Sequence, residues 1–228
     1  MNKIKYILYM AVLVLASCKL DNYPAPEAGL SGRFLDAETN EPVGQDLGNG
    51  VVVELREHGY NPVTPQGIAV KADGSYQNKM LFANTYSIVP TAGNFNPIDT
   101  QTVVIKGQTV FDFKVTPYLR VKDTHIEVVG TKVVAKFKVE QVNTDVPVQQ
   151  IGLYADVFPN VGRYAQVALI EQDIYDFVDP NQEYTLELDI PANSDNLKVG
   201  SQYYFRVGAL IQIDQAKTNY GPTFRLTL

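Results

Sequence analysis

The sequence predicts an all-β protein built from two consecutive β-sandwich domains. Three observations predict it. From Gly29 onward apolar and polar residues alternate, with no convincing helical period. Turn-forming residues interrupt that alternation at short intervals, as they do between half-buried strands. Thr116-Pro117 then breaks the pattern near the middle of a 228-residue chain, a length that suits two domains of about 100 residues each.

Each element follows from the same pattern. Val51, Val53 and Leu55 alternate with Val52, Glu54 and Arg56. Ala72-Asp73-Gly74-Ser75 is turn chemistry, because Asp-Gly readily supplies positive φ. Asn84–Val89 and Val103–Ile105 read as short strands, and Phe111, Phe113 and Val115 alternate with Asp112, Lys114 and Thr116. Pro117 pushes the residue before it out of the helical region and offers a boundary. In the second half Val133, Ala135, Phe137 and Val139 face away from Lys132, Lys136 and Lys138. Tyr184, Leu186, Leu188 and Ile190 oppose Thr185, Glu187 and Asp189, and Phe224, Leu226 and Leu228 oppose Thr223, Arg225 and Thr227. With Leu119–Val129, Gln149–Asp156, Ala165–Ile170 and Gln202–Ile213 the second half holds about seven strands, the count of an immunoglobulin-like sandwich.

The N-terminus has the three parts of a secretory signal: Lys3 and Lys5, an apolar run from Tyr6 to Ala16, and small residues before a cut. The run is shorter than the ~20 apolar residues that cross a bilayer. Leu15-Ala16-Ser17-Cys18 looks like a bacterial lipobox, in which Cys18 is lipidated and becomes the mature N-terminus. Residues 1–17 are then a signal peptide and residues 18–28 a lipidated tether carrying Pro24 and Pro26. The competing reading is a plain signal peptide that happens to hold a cysteine. Cys18 is the only cysteine, so no disulfide supports the fold.

The formal charge of the whole chain is −6, and removing Lys3 and Lys5 with the signal peptide makes it −8. An acidic surface argues against nucleic acid, whose binding depends on neutralised phosphates, and makes the expected membrane attachment covalent rather than electrostatic. His58 and His125 show no metal-like spacing. Glu171 to Asp179 is rich in acids but lacks the order of a calcium loop, so it reads as a solvated loop. No nucleophile elbow, zinc-binding helix or phosphate loop occurs. Neither an enzyme nor a cofactor nor a metal is expected.

Gly32-Arg33-Phe34-Leu35-Asp36, Thr39-Asn40-Glu41-Pro42-Val43, Asp73-Gly74-Ser75-Tyr76 and Ala83-Asn84-Thr85-Tyr86-Ser87-Ile88 resemble the carboxypeptidase regulatory-like domains, which are small transthyretin-like sandwiches. The likeness covers residues 29–115 and implies no catalysis. In residues 118–228, Leu197-Lys198-Val199-Gly200-Ser201-Gln202-Tyr203 leading into Tyr204-Phe205-Arg206-Val207-Gly208-Ala209 looks like strand F of a fibronectin type III-like domain. Tyr203 stands where a tyrosine corner is expected, with Phe205, Val207 and Ala209 facing the core and Arg206 the solvent. The chain has no Trp, which such domains often bury.

Lipobox and domain order together resemble a Bacteroidetes lipoprotein family with a domain of unknown function, associated with SusC/SusD-type glycan-uptake systems. The resemblance implies a non-enzymatic protein lipid-anchored in the outer membrane, its face left open, which binds glycan or a transporter partner. The alternative is a structural or adhesive surface module assembling through β-strand pairing. A glycan site on a sandwich would use flat aromatic faces. Phe158, Tyr164, Tyr175 and Phe177 are the candidates, with Tyr60, Phe95 and Tyr220 in or beside other loops. The competing account is that these rings cover loop-side edges of the core.

Overall fold

A computed structural model describes residues 24–228. Cys18, and with it the expected lipidation, lies outside the described residues. The first domain holds β1 (Ala28–Asp36), β2 (Val52–Glu57), β3 (Gln66–Ala69), β4 (Ser75–Leu81), β5 (Asn84–Pro90), β6 (Gln101–Ile105), β7 (Gln108–Val110) and β8 (Phe113–Val115). One sheet runs β4-β1-β7, with β8 also paired to β1, and the other runs β3-β2-β5-β6. Their inner faces meet over Leu30, Phe34, Val53, Leu55, Tyr86 and Ile88, all essentially inaccessible to solvent. Phe34 organises the centre, its ring 4.9 Å from Phe113 and 5.2 Å from Phe95.

Two glycines are dictated by geometry. Gly74 sits at φ +79° in the turn before β4, where a side chain would be strained. At Gly32 a Cβ would fall 1.8 Å from the Phe111 carbonyl oxygen, so only glycine lets β1 and the β7–β8 connection touch. Phe111 to Val115, expected as one strand, is divided for a related reason. Phe111 N donates to Ser31 O at 2.8 Å, the Asp112 carboxylate takes Arg33 N–H at 2.8 Å, and pairing resumes at Phe113. A side chain thus fills the gap in the ladder of β1.

The second domain holds β9 (Leu119–Val129), β10 (Lys132–Gln141), β11 (Val148–Asp156), β12 (Ala168–Asp176), β13 (Glu183–Asp189), β14 (Gln202–Ile211) and β15 (Asn219–Thr227), with a 3₁₀ turn at Pro191–Asn193. Sheets of three (β13-β10-β9) and four (β12-β11-β14-β15) strands face each other, an immunoglobulin-like layout. Phe137, Leu153, Phe205 and Val207 fill the space between them. The Tyr203 hydroxyl accepts from Lys198 N at 2.8 Å and donates to Asn196 O at 3.0 Å, tying β14 to the preceding loop.

The segment from Glu171 to Asp176, expected as solvated loop, is instead the second half of β12. Gly152↔Glu171, Ile151↔Gln172 and Gln150↔Asp173 pair in register, and Ile170 and Ile174 reach the core. The acids belong to the outer face of an edge strand, which explains their number. Among the described residues no helix is long and apolar enough to cross a membrane.

Candidate functional site

The two domains meet through a buried polar junction. Asn94, fully buried, donates from Nδ2 to Gly44 O (2.9 Å) and to Thr218 O of the second domain (3.0 Å), and accepts from Gln45 Nε2 (2.9 Å). Its carbonyl takes Tyr118 N–H and the Asn219 amide. Asn219 is itself held in place by Leu119 N, which donates to its Oδ1 at 3.3 Å. At the rim Arg120 grips Asp36 with two nitrogens (2.6 and 3.1 Å) and also reaches Glu38 and Glu140. Burial pushes the Asp36 carboxyl up, but the hydrogen bonds and charge of Arg120 outweigh it and hold the group below the usual carboxylate range.

Arg206 corrects the sequence reading. It does point away from its own core, yet only 7% of it is accessible, with Gly44 of the first domain packed against its guanidinium. Its guanidinium stacks 4.3 Å over the Tyr220 ring and donates to Gly221 O. Burial pulls its pKa down to about 10. The Tyr220 hydroxyl donates to Asp46 Oδ1 at 2.6 Å and accepts Arg163 N–H at 2.8 Å. Asp46 is raised, since burial outweighs the Tyr220 bond and the Arg206 charge. Its Oδ2 has no partner. Beside this group Tyr154 donates to Glu171, which also pairs with Arg163 at 3.1 Å.

Next to the junction lies a cavity of about 210 Å³ lined by both domains, with Thr39, Glu41, Arg120, Lys122, Asn219 and Tyr220 on its walls. Its cations are already matched: Arg120 has its three carboxylates, and Lys122 pairs with Glu140. Among the described residues no group of three or more His, Cys, Asp or Glu side chains is arranged to hold a metal ion.

The four aromatic candidates are all exposed: Phe158 by 69%, Tyr164 by 57%, Tyr175 by 55% and Phe177 by 57%. They stand at opposite ends of β12, a nine-residue strand about 30 Å long. Phe158 and Tyr164 belong to the β11–β12 loop, whose middle folds back against Tyr220 through Arg163. Tyr175 sits at φ +48° in a β-bulge, followed by Phe177. Among the other loop aromatics, Phe95 is buried against Phe34 and Tyr220 is taken up by the junction, while Tyr60 is exposed. The arrangement offers stacking faces and hydrogen-bonding rims. The sequence reading missed the junction residues Asp46, Tyr154 and Arg206. The one available signal was the charge of Arg206 inside an otherwise apolar strand.

A model of the N-terminal domain of the DUF3823 proteins of unknown function matches residues 28–116. A model of the DUF3823 C-terminal domain of unknown function matches residues 119–225. Comparison with curated proteins finds no match. Among solved structures, a Bacteroides uniformis protein provisionally described as carbohydrate binding is 35% identical, with a TM-score of 0.84 over 89% of this chain and 100% of its own. A DUF3823 family protein from Parabacteroides merdae is 25% identical (TM-score 0.76; 89% of this chain, 100% of its own). One from Bacteroides ovatus is 26% identical (TM-score 0.74; 88% and 99%). The family matches lie end to end across both sandwiches, and the chain belongs to the DUF3823 family.

Proposed function

We propose that this chain is a non-enzymatic lipoprotein of the outer membrane that serves glycan capture, by binding glycan itself or by binding a SusC/SusD-type transporter. The observation that carries the reading is the set of rings at the two ends of β12. Phe158, Tyr164, Tyr175 and Phe177 each expose more than half of their surface, which leaves ring surface free to stack on a sugar. Support also comes from the 35%-identical Bacteroides uniformis protein, provisionally described as carbohydrate binding. Because the rings stand in two pairs, each pair is a separate subsite: Phe158 with Tyr164, and Tyr175 with Phe177.

Assembly by strand pairing has less support. Three outer strands of the second domain are interrupted, β9 at Asp123 (φ +50°), β12 at Tyr175 (φ +48°) and β15 by Pro222, and such breaks discourage edge-to-edge addition.

A glycan array followed by calorimetry on the full chain tests the reading. One small site gains a few stacking contacts and displaces water from sugar hydroxyls, so a Kd of roughly 10 μM to 1 mM is expected. Replacing Phe158, Tyr164, Tyr175 and Phe177 together by alanine should abolish binding without unfolding the domain, and replacing either pair alone should leave the binding of the other. No glycan binding, together with co-purification of a transporter complex, would leave partner binding as the function. Release of reducing sugar from a polysaccharide would overturn the non-enzymatic reading.

A further inference from the structure

The end of the first domain where the chain enters carries exposed apolar side chains with no partner among the described residues. Three loops gather around Ala28. Ala28 pairs with Leu81, just before the β4–β5 turn, and Gly29 N donates to Gly107 O in the β6–β7 turn. The β2–β3 loop joins them: His58 N donates to Thr85 O, and Asn84 Nδ2 donates to His58 O and to Glu57. The Tyr86 hydroxyl closes the β4–β5 turn by donating to Phe82 O. On and beside these loops Tyr60 is 63% exposed, Met80 72%, Phe82 46% and Val104 67%. Lys79 and Lys106 are exposed among them. The opposite end of β1 is Asp36, at the domain junction. The nine residues of β1 therefore separate this tip from the second domain by about 30 Å.

We propose that this tip rests in the headgroup region of the membrane, with Tyr60, Met80, Phe82 and Val104 as the contact. The inference rests on Cys18 being the lipidated residue. Nine residues lie between Cys18 and Ala28, and the ten steps span at most about 35 Å when fully extended, so the anchor keeps this end near lipid. Tyr and Phe suit the interface, where a ring can have one side apolar and the other wet. The contact is apolar, which agrees with the net acidic chain: Lys79 and Lys106 add local attraction to anionic headgroups without requiring a basic surface.

The chain has no Trp, so one introduced indole reports alone. Full-length lipoprotein carrying Phe82→Trp, and separately Tyr60→Trp, is reconstituted in phosphatidylethanolamine/phosphatidylglycerol vesicles with acyl chains brominated near the headgroup. Emission should fall at least twofold against unbrominated vesicles in both variants, while Phe158→Trp in the second domain stays unquenched. Acyl mass on Cys18 and flotation with vesicles are measured on the same samples. Flotation without quenching at either position overturns the docking alone. Absence of both acyl mass and flotation overturns the anchor and the docking with it. Shielding of the indole in the Phe82→Trp variant only when a co-purified transporter is present would assign the tip to a protein and overturn the lipid contact.

Discussion

Asn94 and Thr218, 124 positions apart in sequence, are joined by a hydrogen bond from the Asn94 amide to the Thr218 carbonyl at 3.0 Å with water excluded. The same amide also holds Gly44 O, so one side chain ties a loop of its own domain to the other domain. Asn94→Ala would orphan Gly44 O and Thr218 O and remove one partner of Gln45. At about 1–3 kcal/mol for a buried group left unsatisfied, the loss should be roughly 2–4 kcal/mol, and calorimetry should resolve one transition into two. A single unshifted transition would show that the domains are not coupled through Asn94.

Tyr203→Phe removes a hydroxyl that accepts Lys198 N–H and donates to Asn196 O in a side chain only 3% accessible. Destabilisation of about 1–3 kcal/mol is expected in denaturant unfolding. A neutral result would mean that the corner contributes nothing.

Two carboxylates at the junction respond to acid in opposite senses. Asp36 is held below the usual carboxylate range in the fold, so its contribution is complete above the unfolded value of about 4 and is lost as pH falls through the folded one. Asp36→Asn should be less stable than the parent at pH 7, and the gap should close in acid. Asp46 is raised, so its ionised form carries a cost above its folded pKa that is relieved as pH falls. Asp46→Asn should therefore lose no stability at pH 8 and fall behind the parent only in acid. Urea midpoints between pH 3 and pH 8 check both, and parallel curves for the two variants would contradict the assignment.

Labelled fatty acid should enter the protein expressed in its native membrane and should not enter Cys18→Ala, which should instead appear as a soluble periplasmic or secreted form. Equal labelling of both would remove the lipid anchor.

The sequence reveals strands where one face meets the core and the other meets water. Val133 to Val139 and Tyr184 to Ile190 are legible for that reason. β3, four residues with Ile68 as its sole buried side chain, carries too little alternation to be seen. The tail of β12 is masked by acids that a solvated edge tolerates. Arg206 is illegible in a different way. Its neighbours set the direction in which it points, but Gly44, more than 150 residues earlier, packs against its guanidinium. The aromatic loops show the same division. Ring positions can be read locally, but the separation of Phe158 and Tyr164 from Tyr175 and Phe177 depends on how far β12 runs.

The parallel ladders of β1 have a mechanical consequence. The chain enters this domain at the start of β1 and leaves it at the end of β8, at opposite ends of the sandwich. β1 pairs in parallel with β7 from Gly29 to Ser31 and with β8 from Phe34 to Asp36. A tug between the N-terminal tether and the second domain drags these strands past one another along their length. The ladder bonds lie across that direction and share the load instead of opening one after another. The first domain is thus wired as a clamp that resists being drawn out by its two ends.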